Sequence, residues 1–104
     1  MSKYYSLLFI WTKGAKIRRE IVKIVFSYQE KNEAIFLSKI TNDLIEKYTE
    51  KKVTISLVRF HLKSLEKYNL IESINKGGRP EYLSLTREGL DAFNRIIEEN
   101  GKLT

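Results

Sequence analysis

The chain has 104 residues, which is enough for one compact domain with its own core and too few for two. Its formal net charge is +6 and 42% of its residues are hydrophobic, a balance that indicates a folded protein attracted to polyanions such as nucleic acid. Because the chain has no cysteine and only one histidine, disulfides, thiolate zinc sites and a cysteine nucleophile are excluded. We therefore expect no cofactor and no metal site.

The N-terminal segment, residues 1–13, contains an apolar run from Tyr4 to Trp11. This run is much shorter than the ~20 residues that a helix needs to span a bilayer, and it lacks a small-residue cleavage site. We expect no membrane partner and a cytoplasmic location. The segment is predicted either to complete the core or to form an interface between two copies.

A first amphipathic helix is predicted over residues 16–28, where apolar side chains recur at helical spacing: Ile17, Ile21, Ile24, Val25 and Tyr28. The start of this helix carries basic residues whose charge is unfavourable near the positive end of the helix dipole. Either a bound phosphate or solvent is expected to compensate this charge. These residues are Lys13, Lys16, Arg18 and Arg19. Residues 34–37 then predict a brief strand, with Ser38 as the N-cap of a second helix. The apolar stripe of that helix comprises Ile40, Leu44, Ile45 and Tyr48, and residues 49–52 form a polar turn.

A third helix is predicted to begin after Thr54 as N-cap and to end at Asn69 in a left-handed conformation. Its periodicity separates two faces. The buried face is predicted to comprise Ile55, Val58, Leu62 and Leu65. The opposite face, which we call the recognition face, comprises Ser56, Arg59, Phe60, Lys63 and Lys67.

Two antiparallel strands are predicted over residues 71–75 and 81–85, joined by a flexible turn over residues 76–80 that we call the wing. Thr86 is predicted to cap a last helix that spans residues 86–101 and stops at Asn100 and Gly101. The apolar stripe of this helix comprises Leu90, Phe93, Ile96 and Ile97.

About half of the chain resembles the winged helix-turn-helix superfamily, and is similar to small archaeal and bacterial regulators of the MarR, ArsR and PadR groups. The resemblance is carried by the opening of the second helix at residues 37–40, by residues 58–71, and by residues 77–89 across the hairpin. It implies an α+β, mainly helical single domain over residues 1–104, with a short strand, a β-hairpin wing and extra N- and C-terminal segments. These families often carry Ser and Arg where this chain has Arg59 and Phe60, so no target sequence can be transferred.

The resemblance implies a sequence-specific double-stranded DNA-binding protein that regulates transcription, with helix 54–68 in the major groove and wing 76–80 at the minor groove or backbone. Ten residues are predicted to contact DNA: Ser38, Lys39, Thr54, Ser56, Arg59, Phe60, Lys63, Lys67, Lys76 and Arg79. We expect no catalytic residue, because the carboxylates are scattered and no nucleophile motif is present. The alternative is a winged helix that binds RNA or another protein within a larger assembly.

The chemistry of the recognition face suits base and phosphate contacts. Arg59 can donate two parallel hydrogen bonds to guanine, and Ser56 can bond a base or a phosphate. Phe60 can either touch a thymine methyl group or fold back onto the domain. Lys63 and Lys67 are expected to neutralise phosphates, and the competing interpretation is a solvated helix face.

The wing carries the other basic side chains of the predicted site. Arg79 precedes Pro80, which favours an extended conformation that would project Arg79 from the hairpin toward a minor groove. Lys76 is expected to hold a phosphate, unless the wing is only a solvated loop. Residues 50–80 contain seven Lys or Arg and three Glu, a net charge of +4, whereas residues 86–104 carry −1.

Three further expectations concern regulation and assembly. His61 is expected to be a boundary residue that is hydrogen-bonded within the domain rather than a ligand. The apolar N-terminal segment and the last helix predict a homodimer, although they can also pack on each other within one chain. No effector pocket is evident from the sequence, so a small-molecule effector remains an open question.

Overall fold

The structure is a computed structural model that describes residues 5–9, 14–49 and 52–103. The helices and strands follow in the order α1 Tyr5–Leu8, α2 Ala15–Glu30, α3 Leu37–Lys47, α4 Ile55–Lys67, β1 Ile71–Ser73, β2 Leu83–Leu85 and α5 Arg87–Leu103. The mainly helical α+β architecture expected from the sequence is therefore confirmed. Within the described residues, none of the helices is both long and apolar enough to cross a membrane.

Helix α2 lies at the centre of the domain and extends beyond both ends of its predicted range. It buries Ile21, Val22 and Val25 completely. Gly14 precedes it with a φ of 95°, a left-handed conformation that glycine adopts without strain. A side chain at Gly14 would also overlap the ring of His61, so this end of α2 packs tightly against α4.

Helix α3 starts two residues earlier than a cap at Ser38 predicts, and Ser38 is not its N-cap. Phe36 occupies the cap position with an extended backbone, and its carbonyl accepts the first helical hydrogen bond from the Ile40 amide at 3.1 Å. The predicted strand over residues 34–37 is reduced to one bridge between Phe36 and Tyr82, because the helix begins at once. Ile40 and Leu44 are buried as predicted, whereas Ile45 is exposed.

Both predicted ends of α4 are confirmed. The Thr54 hydroxyl accepts a hydrogen bond from the Leu57 amide at 3.2 Å, and Asn69 has a φ of 60°. The predicted burial of Ile55 is wrong: it is exposed, because as the first residue of α4 it lies at the edge of the core. His61 is buried on this face of the helix instead.

The hairpin has the predicted order with shorter strands. Ile71 pairs with Leu85 and Ser73 with Leu83 in an antiparallel register. Beyond Ser73 the Ile74 amide still donates to the Tyr82 carbonyl at 2.9 Å. The Tyr82 amide, however, donates to the side chain of Asn75 rather than to a backbone carbonyl, and the ladder ends there.

Helix α5 is capped by Thr86, whose hydroxyl accepts from the Gly89 amide at 2.9 Å. The predicted stop at Asn100 and Gly101 is wrong, since the helix continues to Leu103. One glycine inside a helix costs only about 1 kcal/mol, which does not end a helix by itself. Phe93 stacks on Phe26 with ring centroids 3.7 Å apart, which fixes α5 against α2.

Candidate nucleic-acid interface

Helix α4 separates a buried face from an exposed one. Val58, His61, Leu62 and Leu65 are buried against the core. All five residues of the recognition face are exposed: Ser56, Arg59, Phe60, Lys63 and Lys67. Since the opposite face is fixed in the core, these side chains form one outward surface with three cationic groups.

Phe60 stands out on this polar surface because its side chain is 63% exposed. It does not fold back into the core, which was the alternative left open by the sequence. Its ring meets the buried His61 ring edge to face, with centroids 5.4 Å apart. The ring is thus supported on one side and open to solvent on the rest.

Two predicted site residues at helix starts have structural partners. Thr54 is exposed, but its hydroxyl oxygen already accepts the capping hydrogen bond of α4. The Lys39 ammonium lies over the Tyr28 ring, 4.8 Å from the centroid. The Tyr28 hydroxyl in turn donates to Asp43 at 2.8 Å, and this bond raises the pKa of Tyr28 to about 12. A phosphate contact by Lys39 would therefore compete with its interaction with Tyr28. The neighbouring predicted contact residue, Ser38, is exposed.

Lys76 and Arg79 are exposed on the wing, as the sequence predicted. The wing continues directly from β1, and β1 contacts α4, so the hairpin lies against the helix that carries the recognition face.

A basic pair at the start of α2 has a role that the sequence did not predict. Arg18 is only 7% exposed, and its Nε donates to the Leu7 carbonyl at 2.6 Å. Arg19 donates to the Leu8 carbonyl, also at 2.6 Å. The expectation of a phosphate-binding or solvated terminus is wrong for Arg18, because its guanidinium is buried and bonded inside the protein. Lys13 lies outside the described residues.

Arg18 also connects the N-terminal segment to α4. Its second guanidinium nitrogen lies 3.2 Å from Nδ1 of His61, which is buried on the inner face of α4. Burial and the positive charge of Arg18 both lower the pKa of His61. His61 is therefore neutral at pH 7 with Nδ1 as the acceptor, and it is hydrogen-bonded within the domain as the sequence predicted.

The environment of His61 predicts acid sensitivity. Because its pKa is lowered from the usual 6.5 on folding, the unfolded chain takes up the proton first as the pH falls. The stability supplied by neutral His61 is complete above pH ~6.5 and is lost below it, at a rate of at most ~1.4 kcal/mol per pH unit. Denaturant unfolding of the wild type between pH 7.5 and 5 should show this loss.

His61→Asn is the matched variant, since Oδ1 of asparagine has the same position as Nδ1 of histidine, can accept the Arg18 hydrogen bond and does not titrate. It should remove most of the pH dependence in this range. An equal loss of stability in the variant would show that another group is responsible.

The sequence matches no protein-family model and no protein of curated function. The fold is similar to solved structures of RosR from H. salinarum. A RosR structure grown from NaBr is 24% identical with a TM-score of 0.68, and the match covers 82% of this chain and 72% of RosR. The complex of RosR with S4 is 23% identical with a TM-score of 0.72, covering 91% and 75% of the two chains. The complex of RosR with S1 is 24% identical with a TM-score of 0.68, and the match covers 82% of this chain and 70% of RosR. This likeness and the helix and hairpin order agree with the resemblance seen in the sequence: the chain has the winged helix-turn-helix fold.

Proposed function

We propose that the protein binds double-stranded DNA in a sequence-specific manner and regulates transcription. In this proposal the recognition face of α4 enters the major groove, and the wing reaches the minor groove or the adjacent backbone. This is the usual docking geometry of the second helix of a helix-turn-helix. The proposal includes all ten predicted contact residues. Thr54 and Lys39 are expected to contribute less to binding than the others, because both already interact with groups inside the domain.

The observation that carries the proposal is the outward surface that α4 and the wing form together. Arg59, Lys63 and Lys67 are exposed on one side of a helix whose other side is buried. The contact of α4 with β1, the strand that leads into the wing, supports a wing that lies beside this helix. An exposed helix face with three cationic side chains fits the shape and charge of a duplex groove.

Titration of the wild type with mixed-sequence duplex DNA over a salt series tests the proposal, with single-stranded DNA and structured RNA as competitors. We expect duplex preference and an affinity that falls steeply with salt, because cations on the protein displace condensed counterions. Arg95→Ala, which removes an exposed arginine of α5, is the control for simple loss of charge. Binding to RNA alone, or to no nucleic acid, would favour the interaction-module alternative.

Arg79→Ala should weaken duplex binding by about 1 kcal/mol without lowering the melting temperature, because Arg79 lies exposed on the wing and contributes little to the core. Affinity measurements paired with thermal unfolding check this. A large drop in melting temperature with unchanged affinity would assign Arg79 a structural role instead.

We further propose a homodimer whose interface includes α5 and the N-terminal segment. Leu90 and Ile97, seven residues apart and thus on one side of α5, are 40% and 47% exposed. The other two residues of the predicted stripe pack within the domain, since Ile96 is buried and Phe93 stacks on Phe26 of α2. Leu8 of the N-terminal segment is also buried, whereas Trp11 lies outside the described residues. Two-fold pairing is the commonest oligomeric arrangement and matches DNA half-sites.

Sedimentation tests the dimer. The wild type should have twice the chain mass of 12.3 kDa at micromolar concentration, and Ile97→Glu should reduce it to one chain because a carboxylate would be buried in the interface. Asn42→Glu, at an exposed position of α3, adds the same charge elsewhere and should leave the mass unchanged. A single-chain mass for the wild type would refute the proposed dimer.

A further inference from the structure

The side chain of Asn75 holds the two ends of the wing together. Its Oδ1 accepts a hydrogen bond from the Tyr82 amide at 2.6 Å, and its Nδ2 donates to the Pro80 carbonyl at 3.1 Å. Its own carbonyl accepts from the Gly78 amide at 2.8 Å. One uncharged residue therefore makes three hydrogen bonds across the loop that carries Arg79.

One glycine of the wing, Gly78, fits closely against this arrangement. A Cβ atom at Gly78 would overlap the Asn75 side-chain nitrogen. Gly77 has a φ of 85°, and its amide donates to the Glu81 carboxylate at 3.2 Å. The backbone of the wing is thus bonded to side chains at several points, although the wing lies at the surface.

We propose that Asn75 is a positioning residue of the DNA-binding site, which orders the wing so that Arg79 is presented to the duplex. The inference rests on the proposed function. Ordering a flexible residue costs about 1–2 kcal/mol of backbone entropy. If the wing is already ordered in the free protein, this cost does not reduce the free energy of binding. Asn75 itself has no charge, and its side chain is occupied by the loop. It acts through Arg79 rather than by touching DNA.

A double-mutant cycle tests the inference, using duplex affinity and its salt dependence for the wild type, Asn75→Ala, Arg79→Ala and the double variant. We expect Asn75→Ala to weaken binding by up to about 5-fold, no more than the loss of the Arg79 contact itself, because Asn75 acts only through that contact. In the Arg79→Ala background the same substitution should have almost no effect. Asn75→Ala should also make the salt dependence shallower, although it removes no charge, because the arginine contact is lost.

Gly78→Ala provides a second route to the same arrangement, because the added methyl group would overlap both the side chain and the backbone carbonyl of Asn75 without changing residue 75. It should reproduce the loss of affinity and its dependence on Arg79, and it keeps the test decisive if Asn75→Ala unfolds the hairpin. Ser27→Ala, at an exposed position of α2, is the control and should bind as the wild type does.

Equal losses with and without Arg79, or no loss in either wing variant, would overturn the positioning role while leaving DNA binding intact. Failure of the wild type to bind duplex DNA would overturn the proposed function, and this inference with it.

Discussion

Arg59→Ala should weaken binding to the preferred duplex by about 1–3 kcal/mol and relax the base preference at one position. Arg59 is exposed on the recognition face, and the helix beneath it is fixed by the buried Val58 and Leu62. A guanidinium held in this way can bond guanine through two parallel donors, and its loss removes both. Selection of preferred duplexes from a random pool, followed by titration of each base substitution, measures the effect.

Lys63→Ala is the matched comparison, because Lys63 shares the face and the charge but is expected to meet phosphate. It should weaken all duplexes by a similar factor and make the salt dependence shallower by about one unit. If both variants lost affinity uniformly, or neither lost any, Arg59 would not be the base-reading residue of the proposed site.

Gly89→Ala should destabilise the fold by roughly 2–4 kcal/mol, as expected for overpacking against rigid backbone. A Cβ atom at Gly89 would overlap the carbonyl oxygen of Leu70 and lie 3.2 Å from Leu85 Cδ2. The same carbonyl accepts a hydrogen bond from the Thr86 amide at 3.1 Å, so it cannot move without loosening the start of α5. The propensity gain of alanine over glycine, about 1 kcal/mol, is too small to offset this overlap.

Denaturant unfolding of Gly89→Ala and Asn94→Ala measures the difference. The second substitution is in the same helix at an exposed position, where alanine should be neutral or slightly stabilising. A stability of Gly89→Ala equal to that of the wild type would mean that α5 can shift away from Leu70 at little cost.

Local features of this fold were predictable because their causes are local. Thr54 caps α4 and Asn69 ends it through their own side-chain and backbone preferences, which act over a few residues. The split between the buried and exposed faces of α4 follows from helical periodicity, although Ile55 is exposed rather than buried and His61 is buried rather than at the boundary.

Features that depend on distant partners were not predictable from one sequence. The buried position of Arg18 depends on a carbonyl 11 residues away and on a histidine 43 residues away, and neither leaves a pattern near Arg18. The early end of the hairpin ladder depends on the Asn75 side chain replacing a backbone partner of Tyr82. The candidate contact residues were identified by type, whereas the support beneath them became visible only in three dimensions.

The position of Arg18 has a thermodynamic consequence for the whole molecule. One guanidinium bonds both the Leu7 carbonyl of the N-terminal segment and His61 on the inner side of α4. A ligand that shifted α4 relative to this guanidinium would also change how firmly the N-terminal segment is held, and by reciprocal linkage the segment would affect the ligand by the same free energy. The buried guanidinium is thus the contact that would carry such an effect between α1 and α4.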